Sequence, residues 1–334
     1  MEVTIINVGY GDAILVDSGE KRLLLDGGSA LETEFAGDPY RVRAAEYLAG
    51  RQIRRLDAVV ISHIHEDHVC GLEAVLTQSE VGRLYVPYPT EPFLRGTELT
   101  AALEAPRSVP LYTAALNAYR RILLSAREKE IPVTVLRAGD VLDLGQETEM
   151  RVLGPGDDPV AAYMETVEQA YRQAGNPAAV TSCLAALDAA SNHTSMLLRF
   201  AQGRTVFLSA ADSCPSQWTE VPKNLLKNVN VLKLPHHGQI DSISEQFMKD
   251  MPLEVVITTS GSDRRYNSAN AQVYQRLAAM RPKDSPPQFL FSDERAYPPW
   301  FSRPEGFQAI KLVMDSGEIR PEFIKIQRKK EYLR

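Results

Sequence analysis

Residues 59–68 read Val59-Val60-Ile61-Ser62-His63-Ile64-His65-Glu66-Asp67-His68. An apolar, β-branched run ends where a row of potential metal ligands begins. His63, His65, Asp67 and His68 fall within six residues. Imidazole nitrogen and carboxylate oxygen bind zinc, manganese and iron, and a loop can wrap several such groups around an ion. On a helix, ligands at i and i+4 would share a face. Here His63, His65 and Asp67 alternate, so the spacing predicts an irregular loop at a strand end.

Working outward, the other three of the six histidines occupy only two places. Asn192-His193-Thr194-Ser195 precedes the apolar run 196–200, and Leu232-Lys233-Leu234-Pro235-His236-His237-Gly238 closes the run 229–234. Asp212 ends the run 205–211. Every histidine thus lies where a strand starts or stops. With Asp212 they supply enough ligands for two metals sharing a carboxylate.

The rest of the chain is strand-rich at both ends. Strand candidates lie at 3–8, 13–16, 23–25, 56–61, 132–153, 196–200, 205–209, 229–234, 255–258 and 309–314. Helix candidates lie at 41–49, 71–76, 101–105, 114–129, 216–226, 244–249 and 270–280. Segments at about 88–130 and 157–190 read as helix-rich insertions. The second has five acidic side chains against the single Arg172. Mixed strands and helices throughout predict a layered α/β protein with helices outside.

Composition narrows the function classes. Hydrophobic residues make up 44% and charged residues 24%, which excludes wholesale disorder and collagen-like repeats. The 334 residues would allow two domains, but the candidate ligands come from both halves, so one elaborated domain over 1–334 is expected. Three cysteines are too few for a disulfide framework, no apolar run approaches the ~20 residues of a membrane span, and the N-terminus lacks a signal-peptide pattern. The expectation is a cytoplasmic protein without a membrane partner. The net charge of -6 opposes generic binding to a nucleic-acid backbone, although the tail from Arg320 to Arg334 has six basic side chains.

The motif His63-x-His65-x-Asp67-His68 resembles the most specific signature of the metallo-β-lactamase superfamily. Asp26, in Leu23-Leu24-Leu25-Asp26-Gly27-Gly28, is similar to its first motif, a buried carboxylate that supports the metal loop. Within the superfamily, Asn7-Val8-Gly9-Tyr10-Gly11-Asp12-Ala13-Ile14-Leu15-Val16 resembles the opening of the hydrolase domain of ComEC-type competence proteins and their soluble relatives. Ala138-Gly139-Asp140, Val152-Leu153-Gly154-Pro155 and Leu234-Pro235-His236-His237-Gly238 fit that branch as well. Two departures stand out. The branch often has Asn rather than His near position 193, and its late Asn-Arg-Tyr-x-His-Pro segment is here Arg264-Arg265-Tyr266-Asn267-Ser268-Ala269, without the His.

The resemblance implies a four-layered αββα sandwich with two divalent metal ions at one edge. Zn²⁺ is favoured, and Mn²⁺ or Fe²⁺ also suit the ligand types. One ion would take His63, His65 and His193. The other would take Asp67, His68 and His236, with His237 as the competing choice, and Asp212 would bridge. A hydroxide shared by two such ions attacks a phosphorus or a carbonyl carbon at neutral pH. Asp67 and Asp212 would organise that chemistry, and His237 would donate a hydrogen bond or proton to the substrate. The preferred substrate is a phosphodiester, in a single strand or a small nucleotide rather than a duplex. The alternatives are an acyl substrate (lactone, lactam or thioester), or a metal-stabilised module that binds a protein partner through its insertion.

Overall fold

Alternation along the first strands shows why they form a sheet covered on both faces. Val3, Ile5, Ile14, Val16, Leu23, Leu25, Ala58 and Val60 join one buried cluster, while Ile6, Leu15, Leu24 and Val59 join another on the opposite face. The computed structural model describes residues 1–281, 286–293, 296–303, 305–315 and 317–325. Arg328, Lys329, Lys330 and Arg334 of the basic tail lie outside the described residues.

The eight-stranded sheet runs Glu318–Ile324, Ala309–Asp315, Glu2–Ile6, Ile14–Asp17, Arg22–Leu25, Ala58–Val60, Leu84–Val86 and Val133–Val135 in spatial order. The seven-stranded sheet runs Gln288–Phe291, Val255–Thr258, Val231–Lys233, Thr205–Ser209, Leu197–Gln202, Thr148–Gly154 and Val141–Asp143. Each is antiparallel at one end and parallel at the other. Their inner faces share one core, in which Val3 and Val60 join Phe200, Phe207 and Leu232. Helices cover the outer faces, with Ala271–Ala279 packing Val273, Tyr274 and Leu277 beside Phe289 of the second sheet. This is the αββα sandwich.

The insertions form the helical layer on the outer face of the first sheet. Ser108–Glu128, Asp157–Arg172 and Pro177–Ser191 bury Tyr112, Leu116, Tyr163, Val167 and Leu184 in the same cluster as Leu15, Leu24 and Val59. Several boundaries differ from expectation. The helix expected over 114–129 starts at Ser108, because Pro110 falls in its first turn, where a missing N–H is harmless. No helix forms over 101–105, a segment too short to hold one and closed by Pro106. Pro222 splits the expected 216–226 helix into a 3₁₀ stretch, Pro215–Glu220, and one turn, Lys223–Leu226. Gly175, Asn176 and Pro177 divide 157–190 into two helices. Asn176 caps the second by accepting from the Ala179 amide at 3.3 Å. Among the described residues, no helix is long and apolar enough to cross a membrane.

Candidate metal centre

The site forms where parallel strands of both sheets end. Asp26 follows Arg22–Leu25 and His63 follows Ala58–Val60 in the first sheet; Asp212, His237 and Thr259 follow Thr205–Ser209, Val231–Lys233 and Val255–Thr258 in the second. Carboxyl ends of parallel strands leave such a crevice. The metal loop is only partly irregular. His63 and His65 lie in a loop, but Asp67 and His68 lie on a one-turn helix, Glu66–Val69, that His65 precedes. That turn brings Asp67 and His68 round to one side.

Two groups of side chains converge. Asp67, His68, Asp212 and His237 form one, and His63, His65 and Asp212 the other; within each, the ligand atoms lie within 4.8 Å of one another. His68 Nε2 is 3.3 Å from His237 Nε2 and 3.3 Å from Asp212 Oδ1, and Asp67 is 3.0 Å from His237 Nε2. His63 Nε2 is 3.1 Å from His65 Nδ1. Ligands about 2.0–2.1 Å from a tetrahedral ion stand roughly 3.3 Å apart, so the spacing fits a bound cation. Asp212 Oδ1 is also buried without a hydrogen-bond partner, although two imidazole nitrogens approach it. An oxygen so placed is available to a bound cation.

The supporting bonds leave the inward nitrogens free. Asp26 holds His68 Nδ1 at 2.9 Å and accepts from the Ser62 amide at 2.8 Å and its hydroxyl at 2.6 Å. His237 Nδ1 donates to the Thr259 carbonyl at 2.7 Å. Fixing one imidazole nitrogen in this way sets the tautomer and aims the other at the metal. Gly11 lets the N-terminal loop press against the centre. With φ +132°, it has no Cβ, and one built there would stand 2.2 Å from the Asp67 carbonyl oxygen.

Three buried carboxylates, Asp12, Asp26 and Asp212, and the half-buried Asp67 crowd this region. The buried Lys233 ammonium lies 2.5 Å from Asp12, 3.0 Å from the Ala211 carbonyl and 4.0 Å from Asp212. That ammonium occupies Asp12, so the nearby group of Asp12, Asp26 and His68 acts as a support and not as a third ion site. The remaining negative charge shows in the titrations. Burial alone would lower His68 and His237, but Asp212 and Asp67 hold His68 well above the ordinary range, and Asp212 pushes His237 up to about 9. Burial opposes ionisation of Asp67 too, yet His68 and His237 bring it down to about 2. Burial, with His68 and His65 nearby, keeps His63 neutral.

Two of the expected ligands are not brought into these groups. His193 is exposed and lines a separate cleft with Ser195 and Trp218. In the tight turn Asn192–Thr194, consecutive side chains point in different directions. Thr194 turns inward to Tyr88, and Asn192 faces the metal-side cleft, so His193 points away. His236 is the outer member of its pair. Both it and His237 have left-handed backbones, φ 47° and 50°, which splay their side chains apart. His237, expected to face substrate, is fully buried with both nitrogens engaged. His236 lines the cleft instead, with Nδ1 3.1 Å from Asp241 and Nε2 within reach of the Asn192 and Gln239 side-chain amides.

Three contributors escaped the sequence reading. Asp188, on an insertion helix, accepts from His65 Nε2 at 3.4 Å and fixes that ring. Asp12 and Lys233 form the buried pair beneath the centre. Cys70 packs in the apolar cluster and is in neither ligand group. A cleft of about 780 Å³ opens over the centre, with Tyr10, His65, Asp67, Arg107, His236 and Tyr266 among its lining.

The family model of the metallo-beta-lactamase superfamily matches residues 6–169. Among curated proteins, ComE operon protein 3 of Bacillus subtilis (strain 168) is 23% identical over 290 residues, which is 83% of this chain and 30% of that protein. The chain therefore spans about 30% of the length of that relative. Two solved structures are similar at 12% identity. The metallo-beta-lactamase fold protein YhfI from Bacillus subtilis has a TM-score of 0.46, over 87% of this chain and 96% of that one. The isothiocyanate hydrolase from Delia radicum gut bacteria has a TM-score of 0.47, over 89% and 99%.

Proposed function

We propose that the chain is a metal-dependent hydrolase of the metallo-beta-lactamase superfamily, of the ComEC type, and that it uses two divalent ions, Zn²⁺ first among them, to hydrolyse phosphodiesters. One observation carries this proposal: two convergent ligand groups share the buried Asp212 on the floor of an open cleft.

His63, His65 and Asp212 would hold one ion, leaving a position open as catalytic sites do. Asp67, His68, His237 and Asp212 would hold the other. Such a pair supplies an activated water at neutral pH and stabilises the charge on a pentacoordinate phosphorus. The chain's own residues do the rest. Asp26, Thr259 and Asp188 lock the imidazoles, so the ligand atoms need little rearrangement. His236 lines the cleft, where the Asn192 and Gln239 amides on Nε2 and Asp241 on Nδ1 fix its ring. The exposed guanidinium of Arg107 in the cleft supports a phosphate-bearing substrate over an acyl one.

The test is a turnover panel on purified, metal-loaded protein. It contains bis(p-nitrophenyl) phosphate, single-stranded oligonucleotides, dinucleotides, an acyl lactone and a chromogenic β-lactam. Phosphodiester cleavage that Asp212→Ala abolishes is the expected result. Cleavage of only the lactone or the lactam would overturn the phosphodiester assignment.

A further inference from the structure

Two features at opposite ends of the cleft remain unexplained by the metal chemistry. At the His237 end, the Tyr10 ring lies 4.4 Å from His237, and the Tyr266 ring lies 5.4 Å from Tyr10. Tyr266 is 62% exposed, although aromatic rings of this size usually bury themselves. Its φ is +58°, in a segment where Arg264, Asn267 and Ala269 are also left-handed. Non-glycine residues pay strain for this conformation, and such strain gathers at ligand clamps. Among the described residues, the Tyr266 hydroxyl has no hydrogen-bond partner. An open aromatic face at the mouth of a cleft is a stacking surface for a planar ring.

At the His65 end, Tyr112 lies 5.9 Å from His65, on the helix Ser108–Glu128 that Arg107 precedes. Arg107 lines the cleft, is exposed, and has no acidic or carbonyl partner among the described residues. The other cleft arginine, Arg265, is already held by Glu34 at 2.6 Å and Asp263 at 2.9 Å. The cleft acids are committed as well: Glu66 accepts from Ser29 at 2.8 Å, and Asp188 from His65. Among the described residues of the cleft, Arg107 is thus the arginine without such a partner, and guanidinium matches phosphate.

We infer that the cleft takes a dinucleotide unit, with a base stacked on Tyr266, the scissile phosphodiester over the metal centre and a second phosphate on Arg107. This rests on the phosphodiesterase proposal and names its substrate class. The volume of about 780 Å³ suits a ligand of that size. Helices Ser108–Glu128 and Pro177–Ser191 supply Ser108 and Asp188 to one wall. The same chemistry is offered by a free dinucleotide and by the 5′-phosphorylated end of a single strand.

The test uses the full chain, metal-loaded, with four substrates: pApA, ApA, the abasic counterpart of pApA, and a longer 5′-phosphorylated single strand. Stacking of one base predicts a preference for pApA over the abasic compound of at least about fivefold in kcat/KM. In Tyr266→Ala that ratio falls toward one, and in Tyr266→Phe it is kept. The preference of pApA over ApA falls toward one in Arg107→Ala. Affinity for a non-hydrolysable, methylene-bridged pApA follows the same order. Comparable turnover of the longer strand assigns a strand end; turnover of the dinucleotide alone assigns the free compound. Equal turnover of abasic and base-bearing substrates, or ratios that both alanine variants leave intact, overturns the inference while the hydrolase proposal stands. Tyr266-dependent binding of the analogue without any turnover keeps the inference and overturns hydrolysis. Neither binding nor turnover overturns both.

Discussion

Replacing Lys233 by Met isolates the electrostatics beneath the centre. Lys233 and Asp12 are 0% and 1% exposed, with Nζ and Oδ2 2.5 Å apart. The substitution keeps an unbranched apolar stem and removes the ammonium group. It leaves the Asp12 carboxylate buried, with the Thr259 hydroxyl at 2.6 Å still donating to it. Breaking one side of a buried ion pair costs about 3–5 kcal/mol. For a chain of 334 residues, the unfolding entropy makes that a fall in Tm of roughly 4–7 °C. The assay is thermal and denaturant unfolding of EDTA-treated protein for wild type, Lys233→Met, Asp12→Asn and the double variant. The double variant is expected to recover at least half of the loss, because no lone charge remains. The deficit is also expected to shrink when metal is added, because a bound cation replaces positive charge that Lys233 supplied. A Lys233→Met deficit below about 1 kcal/mol, or simple additivity in the cycle, would refute the reasoning.

Further predictions follow from the same geometry. In metal-free protein the His237 pKa stands at about 9, above its unfolded value of ~6.5. That stabilisation is complete below about pH 6.5 and is lost as pH rises through 9. Denaturant titration of EDTA-treated protein at both ends of this window reads it directly, and stability rising with pH across it would contradict the assignment. Metal binding requires neutral His237, so metal affinity is expected to increase across the same window, as isothermal titration would show. Gly11→Ala places a methyl against the Asp67 carbonyl and forces a left-sided φ on alanine. It should cost about 2 kcal/mol or more and lower metal retention during dialysis. Asp188→Ala removes the carboxylate from His65 Nε2 but keeps the Asp188 backbone carbonyl 3.3 Å from it, so it should weaken metal retention by at most about 10-fold while leaving Tm of the metal-free protein within a few degrees.

Much of the centre was legible because consecutive ligand-type residues at a strand end have few other uses. His63, His65, Asp67 and His68 stood out by their spacing, whereas Asp26 was singled out by the resemblance to the superfamily, and Asp212 by its place after an apolar run taken together with the histidines and that resemblance. What failed was side-chain direction in tight backbone. His193 and Asn192 are neighbours in one 3₁₀ turn, and His236 and His237 are neighbours in a left-handed pair. Sequence order cannot say which of two adjacent residues faces inward there. Lys233 was missed for a different reason: a lysine in a short apolar strand reads as its solvent-facing position. Only the burial of both faces of the parallel strand Val231–Lys233 shows that it must be paired. Asp188 hid in an acidic segment whose other acids, Glu165 and Glu168 among them, are exposed on the preceding helix, Asp157–Arg172. The layers themselves were readable from alternation, while helix limits depended on Pro110, Pro177 and Pro222.

The shared role of Asp212 is tested most directly by counting metal ions per chain in metal-replete protein. Elemental analysis should give about two divalent ions per chain for wild type and for His193→Ala, and about one or fewer for Asp212→Ala and His237→Ala. Fewer than one ion per chain in wild type, or a loss of metal in His193→Ala equal to that in His237→Ala, would contradict it.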